Sequence, residues 1–258
     1  MVDPEVAPFS ARGSGARGAV GVVVTHGFTG NPRATRPLGE RLAAEGYTVE
    51  VPRLPGHGTH HRDLGATRYA DWYGELDAAV TRIGTHCDRI VLVGHSMGAT
   101  LSLDVAARRP DDVTAVVAVC GQILDRTELL ARIAPLLQYV IPYVPRDLAG
   151  LPSDDIARPG VTEGAYPMVP ARAAQSLLKE LPRIRAALPG LVQPVLVVSA
   201  PQDHTVPPEN SRRIAELVGS GDVRELVCER SYHVVPLDYD AELLTDGVLA
   251  FVADVTGT

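Results

Sequence analysis

Ser96 stands at the centre of GHSMG (94–98), which follows the apolar run RIVLV and opens a stretch of helical spacing. A serine in G-x-S-x-G between a strand and a helix can act as a nucleophile. The turn is too tight for side chains at the flanking positions, and it leaves the serine Oγ exposed. The helix from Met97 aims its first N–H groups and its dipole at the space beside that oxygen. A serine hydroxyl also needs a base, and the base needs an orienting acid. QDHTVPPEN carries Asp203 just beyond a late strand, and SYHVVPLD carries His233 after the last one. In that order Ser96 attacks an acyl carbon, and His233 takes its proton and later delivers it to the leaving alcohol. Asp203 fixes the imidazole tautomer. The chemistry is acyl transfer.

His204, directly after Asp203, is a competing base, but only His233 lies beyond the last strand. The developing oxyanion needs donors, and THGFTG (25–30) ends the first clear strand with the Phe28 N–H placed to pair with that of Met97. Two such donors stabilise an acyl-transfer transition state by several kcal/mol. His26 reads as a brace for this loop.

These residues must be positioned by the elements around them. Short β-branched runs (19–26, 47–54, 89–96, 113–121, 193–203 and 224–231) alternate with helical patterns near 35–45, 69–84, 97–109, 209–218 and from Tyr239 onward. Strands apolar on both faces, separated by helices, indicate an α/β fold with a buried, mostly parallel sheet. Between 122 and 188 eight prolines break the rhythm. There Leu129, Leu130, Ile133, Leu136, Leu137, Val140 and Ile141 recur at helical spacing. Such a stripe suits a helix packed on the core. An insertion after a strand lies at the ligand-binding end of the sheet, which favours a cap whose Ile133, Leu137 and Ile141 roof a substrate cavity. The division is then core 1–121, inserted cap 122–188, core 189–258.

Two further patterns are decoys. GSGARG (13–18) has the form of a dinucleotide-binding motif, but it precedes its strand and reads as a flexible turn. GHGTHHRD offers His57, His60, His61 and Asp63 without the spacing of a metal site, and reads as a loop at the mouth of the site.

Composition sets the outer bounds. The 258 residues carry a net charge of −7, which disfavours nucleic acid or an anionic membrane as partner. Three widely spaced cysteines suit buried thiols in a reducing compartment. The first ten residues lack a signal-peptide pattern, and no apolar run reaches membrane-span length, so a cytoplasmic protein without stable membrane insertion is expected. The oligomeric state has no signature.

HGFTG, GHSMG and the Asp203 and His233 loops together resemble the α/β-hydrolase superfamily over nearly the whole chain. More narrowly, VVTHGFTGNPRATRPLGERLAAEGYTVEVPRLPGHGT, LPSDDIARPGVTEGAYPMVP, QDHTVPPEN and SYHVVPLDYD resemble bacterial monoacylglycerol lipases and small carboxylesterases. The resemblance implies a Ser96–Asp203–His233 triad with oxyanion donors at Phe28 and Met97. It implies a cap that holds an acyl chain, and a Glu163 that reaches glycerol hydroxyls. The expected substrate is a small ester or lipid, first a monoacylglycerol, with no metal or organic cofactor. The alternatives are a carboxylesterase acting on other monoesters, xenobiotic or aromatic ones included, and a non-catalytic binder of the same fold.

Overall fold

A computed structural model describes residues 4–125, 141–152 and 154–258. Its centre is a seven-stranded sheet, built from β1 (Phe9–Ala11), β2 (Val20–Thr25), β3 (Thr48–Val51), β4 (Arg89–His95), β5 (Ala115–Val119), β8 (Val195–Ser199) and β9 (Val223–Val227). Their order is β1-β3-β2-β4-β5-β8-β9. Every neighbouring pair is parallel except β1 and β3. All six residues of β2 and all five of β5 are buried, as expected for strands covered on both faces.

The two-residue period of a strand sends alternate side chains into two cores. Val23 and Leu92 point to one side and pack with Trp72, Leu76 and Leu101. Val22, Val24 and Val91 point to the other and pack with Leu38, Leu42 and Phe251. The helices divide accordingly. On the first face lie α4 (Tyr69–Gly84) and α5 (Met97–Arg108), with α6 (Ala171–Leu178), α7 (Leu181–Ala187) and α8 (Glu209–Leu217). On the second lie α2 (Arg36–Ala44) and α9 (Ala241–Thr256). Helix α5 is buried from Met97 through Ala106, because it runs under the sheet's middle strands. Among the described residues no helix is long and apolar enough to cross a membrane. The three cysteines are free and buried.

Three features differ from the sequence reading. GSGARG is not a flexible turn throughout: Gly15–Gly18 forms α1, a single helical turn, and Arg17 pairs with Glu45 at 3.1 Å. The loop with three histidines does not form the mouth of the site. His60 accepts the Arg62 N–H to start α3 (His61–Ala66), and His57 is buried in a ring cluster. The proline-rich stretch also holds more regular structure than its prolines suggest. A separate hairpin pairs β6 (Tyr143–Pro145) with β7 (Met168–Pro170), and α6 and α7 follow. Prolines end these short elements without interrupting them. Ile133 and Leu137 lie outside the described residues.

Candidate active site

Ser96 directly follows β4 in a backbone conformation (φ 56°, ψ −120°) that non-glycine residues rarely adopt. Neighbouring strands over-determine it. The Ser96 N–H donates to the Val119 carbonyl at 2.8 Å, and its own carbonyl accepts from Ala99 at 3.0 Å as α5 begins. A Cβ at residue 94 would meet the Gly98 carbonyl oxygen at 2.2 Å, and one at residue 98 would meet the Thr25 carbonyl oxygen at 2.3 Å. The G-x-S-x-G spacing is therefore a steric requirement of this turn.

Asp203 and His233 follow β8 and β9, at the same sheet end as Ser96. His233 Nδ1 lies 2.7 Å from Asp203 Oδ2, while Asp203 Oδ1 accepts the backbone N–H groups of Thr205 (2.8 Å) and Val206 (2.7 Å). Burial works against the Asp203 charge, but the His233 imidazole and the two backbone donors hold its pKa below the usual carboxylate value. Burial likewise pulls His233 down, but Asp203, with Glu163 and Asp155, lifts its pKa above the ordinary histidine value. The pair is built to form an imidazolium. Cys120 packs beside it, with its sulfur within 4.8 Å of an Asp203 carboxylate oxygen and a His233 ring nitrogen, and burial pushes the thiol pKa far up, so it stays protonated.

His204 does not compete as the base. Its Nδ1 is 2.8 Å from Asp155 Oδ1, and its ring stacks edge-on against Tyr232. His95, the residue before Ser96, carries a role the sequence reading missed. Its Nε2–H donates to the His233 carbonyl at 2.9 Å, and burial with the neighbouring His233 lowers its pKa to about 3. It is a neutral strut under His233. The signal was present in GHSMG, but the pentapeptide does not say what its second residue touches.

The loop after β2 is braced as expected. His26 Nδ1–H donates to the Gly27 carbonyl at 3.0 Å, and its Nε2 accepts the Leu54 N–H at 3.2 Å. Phe28 packs edge-on against His57 and Trp72. Thr29 has a positive φ of 63°, and its hydroxyl donates to the Phe28 carbonyl at 2.6 Å.

Gly27, Phe28, Ser96, Met97 and His233 open on one cavity of about 330 Å³. Its far walls are apolar and come from the stretch between β5 and β8, with Val144, Leu148, Leu151, Val169, Leu177 and Leu178. Ile141 lines it too, half-exposed at the rim. The polar end is Glu163, buried at 4% exposure, with Arg146 Nη2 3.5 Å from its Oε1. Burial raises the Glu163 pKa and Arg146 opposes that rise. Arg146 also donates to the Thr29 hydroxyl and, at 2.7 Å, to the Pro152 carbonyl. No sequence pattern singled out Arg146, because its partners come from distant segments. A serine at a strand–helix turn, a histidine paired with a carboxylate and an apolar chamber with one polar end suit acyl transfer from an ester with a long apolar chain.

Comparison with known proteins agrees with this geometry. The profile of the alpha/beta hydrolase family matches residues 22–245. The thermostable monoacylglycerol lipase of Bacillus sp. (strain H-257) is 34% identical over 250 residues, covering 93% of each chain. The carboxylesterase of Bacillus subtilis (strain 168) is 27% identical and covers 95% of each. Among solved structures, one reported with the metagenome-derived lipolytic enzymes LipS and LipT superposes with a TM-score of 0.90. It is 33% identical and covers 98% of this chain and all (100%) of that one. The Paleococcus ferrophilus monoacylglycerol lipase, at 20% identity, shares the fold with a TM-score of 0.79, covering 96% of this chain and 98% of that one.

Proposed function

The chain belongs to the alpha/beta hydrolase family, and from that membership we propose that it hydrolyses monoacylglycerols through an acyl-enzyme on Ser96. The carrying observation is the cavity that joins Ser96 and His233 to an apolar chamber with Glu163 at its polar end. Ser96 Oγ attacks the ester carbonyl while His233 takes the proton, and Asp203 holds the resulting imidazolium. The backbone N–H groups of Phe28 and Met97 receive the oxyanion. Met97 is the first residue of α5, whose leading N–H groups have no partner within the helix. His233 then protonates the leaving glycerol, and water, activated by the same histidine, releases the fatty acid. The segment 122–188 acts as the cap: Ile141 and its apolar neighbours take the acyl chain, and Glu163 takes the glycerol hydroxyls. The sequence of the Bacillus sp. lipase supports this substrate class. A chamber of about 330 Å³ suits one chain better than three.

The second reading, a carboxylesterase on other small monoesters, is supported by the Bacillus subtilis carboxylesterase. A panel of mono-, di- and triacylglycerols beside methyl and 4-nitrophenyl esters, with Ser96→Ala as control, tests both. Monoacylglycerols should give the highest kcat/KM, and Ser96→Ala should lose on the order of 10⁴-fold or more in kcat. Equal rates across simple esters and glycerides would favour the second reading. Full turnover by Ser96→Ala would exclude both.

A further inference from the structure

The two loops that close the triad are fastened to one residue from the stretch between β5 and β8. Asp155 is buried, with 4% exposure. Its Oδ2 accepts the His204 N–H at 2.9 Å and the Thr205 hydroxyl at 3.2 Å, and its Oδ1 accepts His204 Nδ1–H at 2.8 Å. His204 and Thr205 are the two residues after Asp203, and Thr205 N–H is itself a donor to Asp203 Oδ1. On the other side the Asp155 backbone carbonyl accepts the Val234 N–H at 3.1 Å, directly after His233. Asp238 ties the same segments from the opposite direction, accepting Ala157 N–H (2.7 Å), Arg158 N–H (3.0 Å) and Tyr232 N–H (2.8 Å). Tyr232 directly precedes His233.

A buried carboxylate is costly unless donors satisfy it. All three donors to Asp155 come from the acid loop, so its burial is coupled to that loop's position. Its backbone carbonyl couples the same position to the histidine loop. A displacement of about 1 Å at a proton-transfer centre is enough to cost about 100-fold in rate.

We propose that Asp155 is a positioning residue for the hydrolytic reaction, locking the acid loop against the histidine loop so that His233 stays aligned between Asp203 and Ser96. The segment taken as cap is thus at its base a fixed part of the catalytic machinery. The proposal rests on the hydrolase reading with Ser96 as nucleophile. The charge of Asp155 acts on His233 as well. The groups facing that imidazole are Asp203, Glu163 and Asp155, which favour its protonated form, neutral His95 and the protonated Cys120 thiol, with Arg146 beyond Glu163.

The test uses 4-nitrophenyl butyrate hydrolysis against pH, with the competent serine counted by covalent labelling with a fluorophosphonate. Asp155→Ala removes the lock, and kcat per labelled serine should fall by about 10- to 100-fold with KM changed less than about threefold. Asp155→Asn keeps one acceptor oxygen for the His204 N–H and the Thr205 hydroxyl, while its amide N–H donates to His204 Nδ1 in the other tautomer, and the charge is lost. Its kcat should recover to within about threefold of the parent, while the acid limb of kcat/KM moves to lower pH, because His233 loses a stabiliser of its protonated form. Parental kcat per labelled serine in Asp155→Ala overturns the proposal. If Asp155→Ala fails to fold, Asp155→Ser decides: its shorter side chain leaves the acid loop unheld, so kcat per labelled serine should still fall at least about 10-fold, and a parental value there overturns the proposal. Turnover by Ser96→Ala would instead remove the hydrolase reading and leave the loop geometry untouched.

Discussion

Glu163 keeps a carboxylate at the polar end of an apolar chamber, with Arg146 3.5 Å away. A Cβ at residue 30 would sit 3.0 Å from its Oε2, so the carboxylate lies against the loop that carries Phe28. An acceptor there, close to the nucleophile, is suited to a hydroxyl on the leaving alcohol. Glu163→Gln keeps the shape and weakens that hydrogen bond from a charged to a neutral one, a difference of about 1–2 kcal/mol. At the pH of the activity plateau, kcat/KM for a monoacylglycerol should therefore fall by about 5- to 30-fold. That for the methyl ester of the same acid, which has no free hydroxyl, should change less than about threefold. Equal losses on both would show that Glu163 acts on the triad and not on the glycerol. At this scale the sequence is legible in placement: Ser96, Asp203 and His233 come together at one sheet end, as their motifs anticipate. Glu163 came only through resemblance. His95, Arg146 and Asp155 were invisible, because their roles come from partners far away in the chain, and a short motif does not encode those.

The turn at 94–98 is where element geometry and catalysis meet. Its glycines lie against backbone carbonyls, which cannot move as side-chain tips can. Gly98→Ala should force α5 away from β2 and rotate Ser96 out of its φ 56° conformation. The expected cost is about 1–3 kcal/mol of stability together with at least a 100-fold loss of kcat. Thermal unfolding and the esterase assay measure both, and an active, equally stable variant would show that the elbow tolerates more slack than its 2.3 Å approach allows. The strands of the sheet and the helices on it were readable because burial on both faces leaves long apolar runs, and α4 was placed at its observed limits, Tyr69–Gly84. The three-residue strands were not readable. Strand β1 and the β6–β7 hairpin are too short for a period to register, and their pairing is decided by neighbours: Phe9 lies opposite Val51, and Tyr143 opposite Pro170.

Taken as a whole, the molecule stores three neutral histidines around its active-site end. His26, His57 and His95 are buried. Burial lowers the pKa of His26 to about 4 and, with its neighbour His233, that of His95 to about 3, while His57 is held well below the usual value. In the unfolded chain each takes up a proton near the ordinary histidine pKa of about 6.5. Below that pH the unfolded state binds more protons than the folded one, so stability falls as the solution is acidified. At pH 5 each of His26 and His95 contributes about 2 kcal/mol to that fall. His233 works in the opposite sense, since its raised pKa gives stability that is present at low pH and lost as pH rises through its folded value. Asp203, with a lowered pKa, loses its contribution only when pH drops through that lower value, below the window concerned. His57 adds to the roughly 4 kcal/mol from His26 and His95, while His233 and Glu163, both with raised pKa, offset part of it, so acidification from pH 7 to pH 5 is net destabilising. Tm should therefore be lower at pH 5 than at pH 7. Scanning calorimetry at the two pH values measures it, and His95→Gln should flatten the dependence by up to one proton. A Tm at pH 5 equal to or above that at pH 7 would mean that the trio takes up protons without unfolding, and that His95 is no neutral strut.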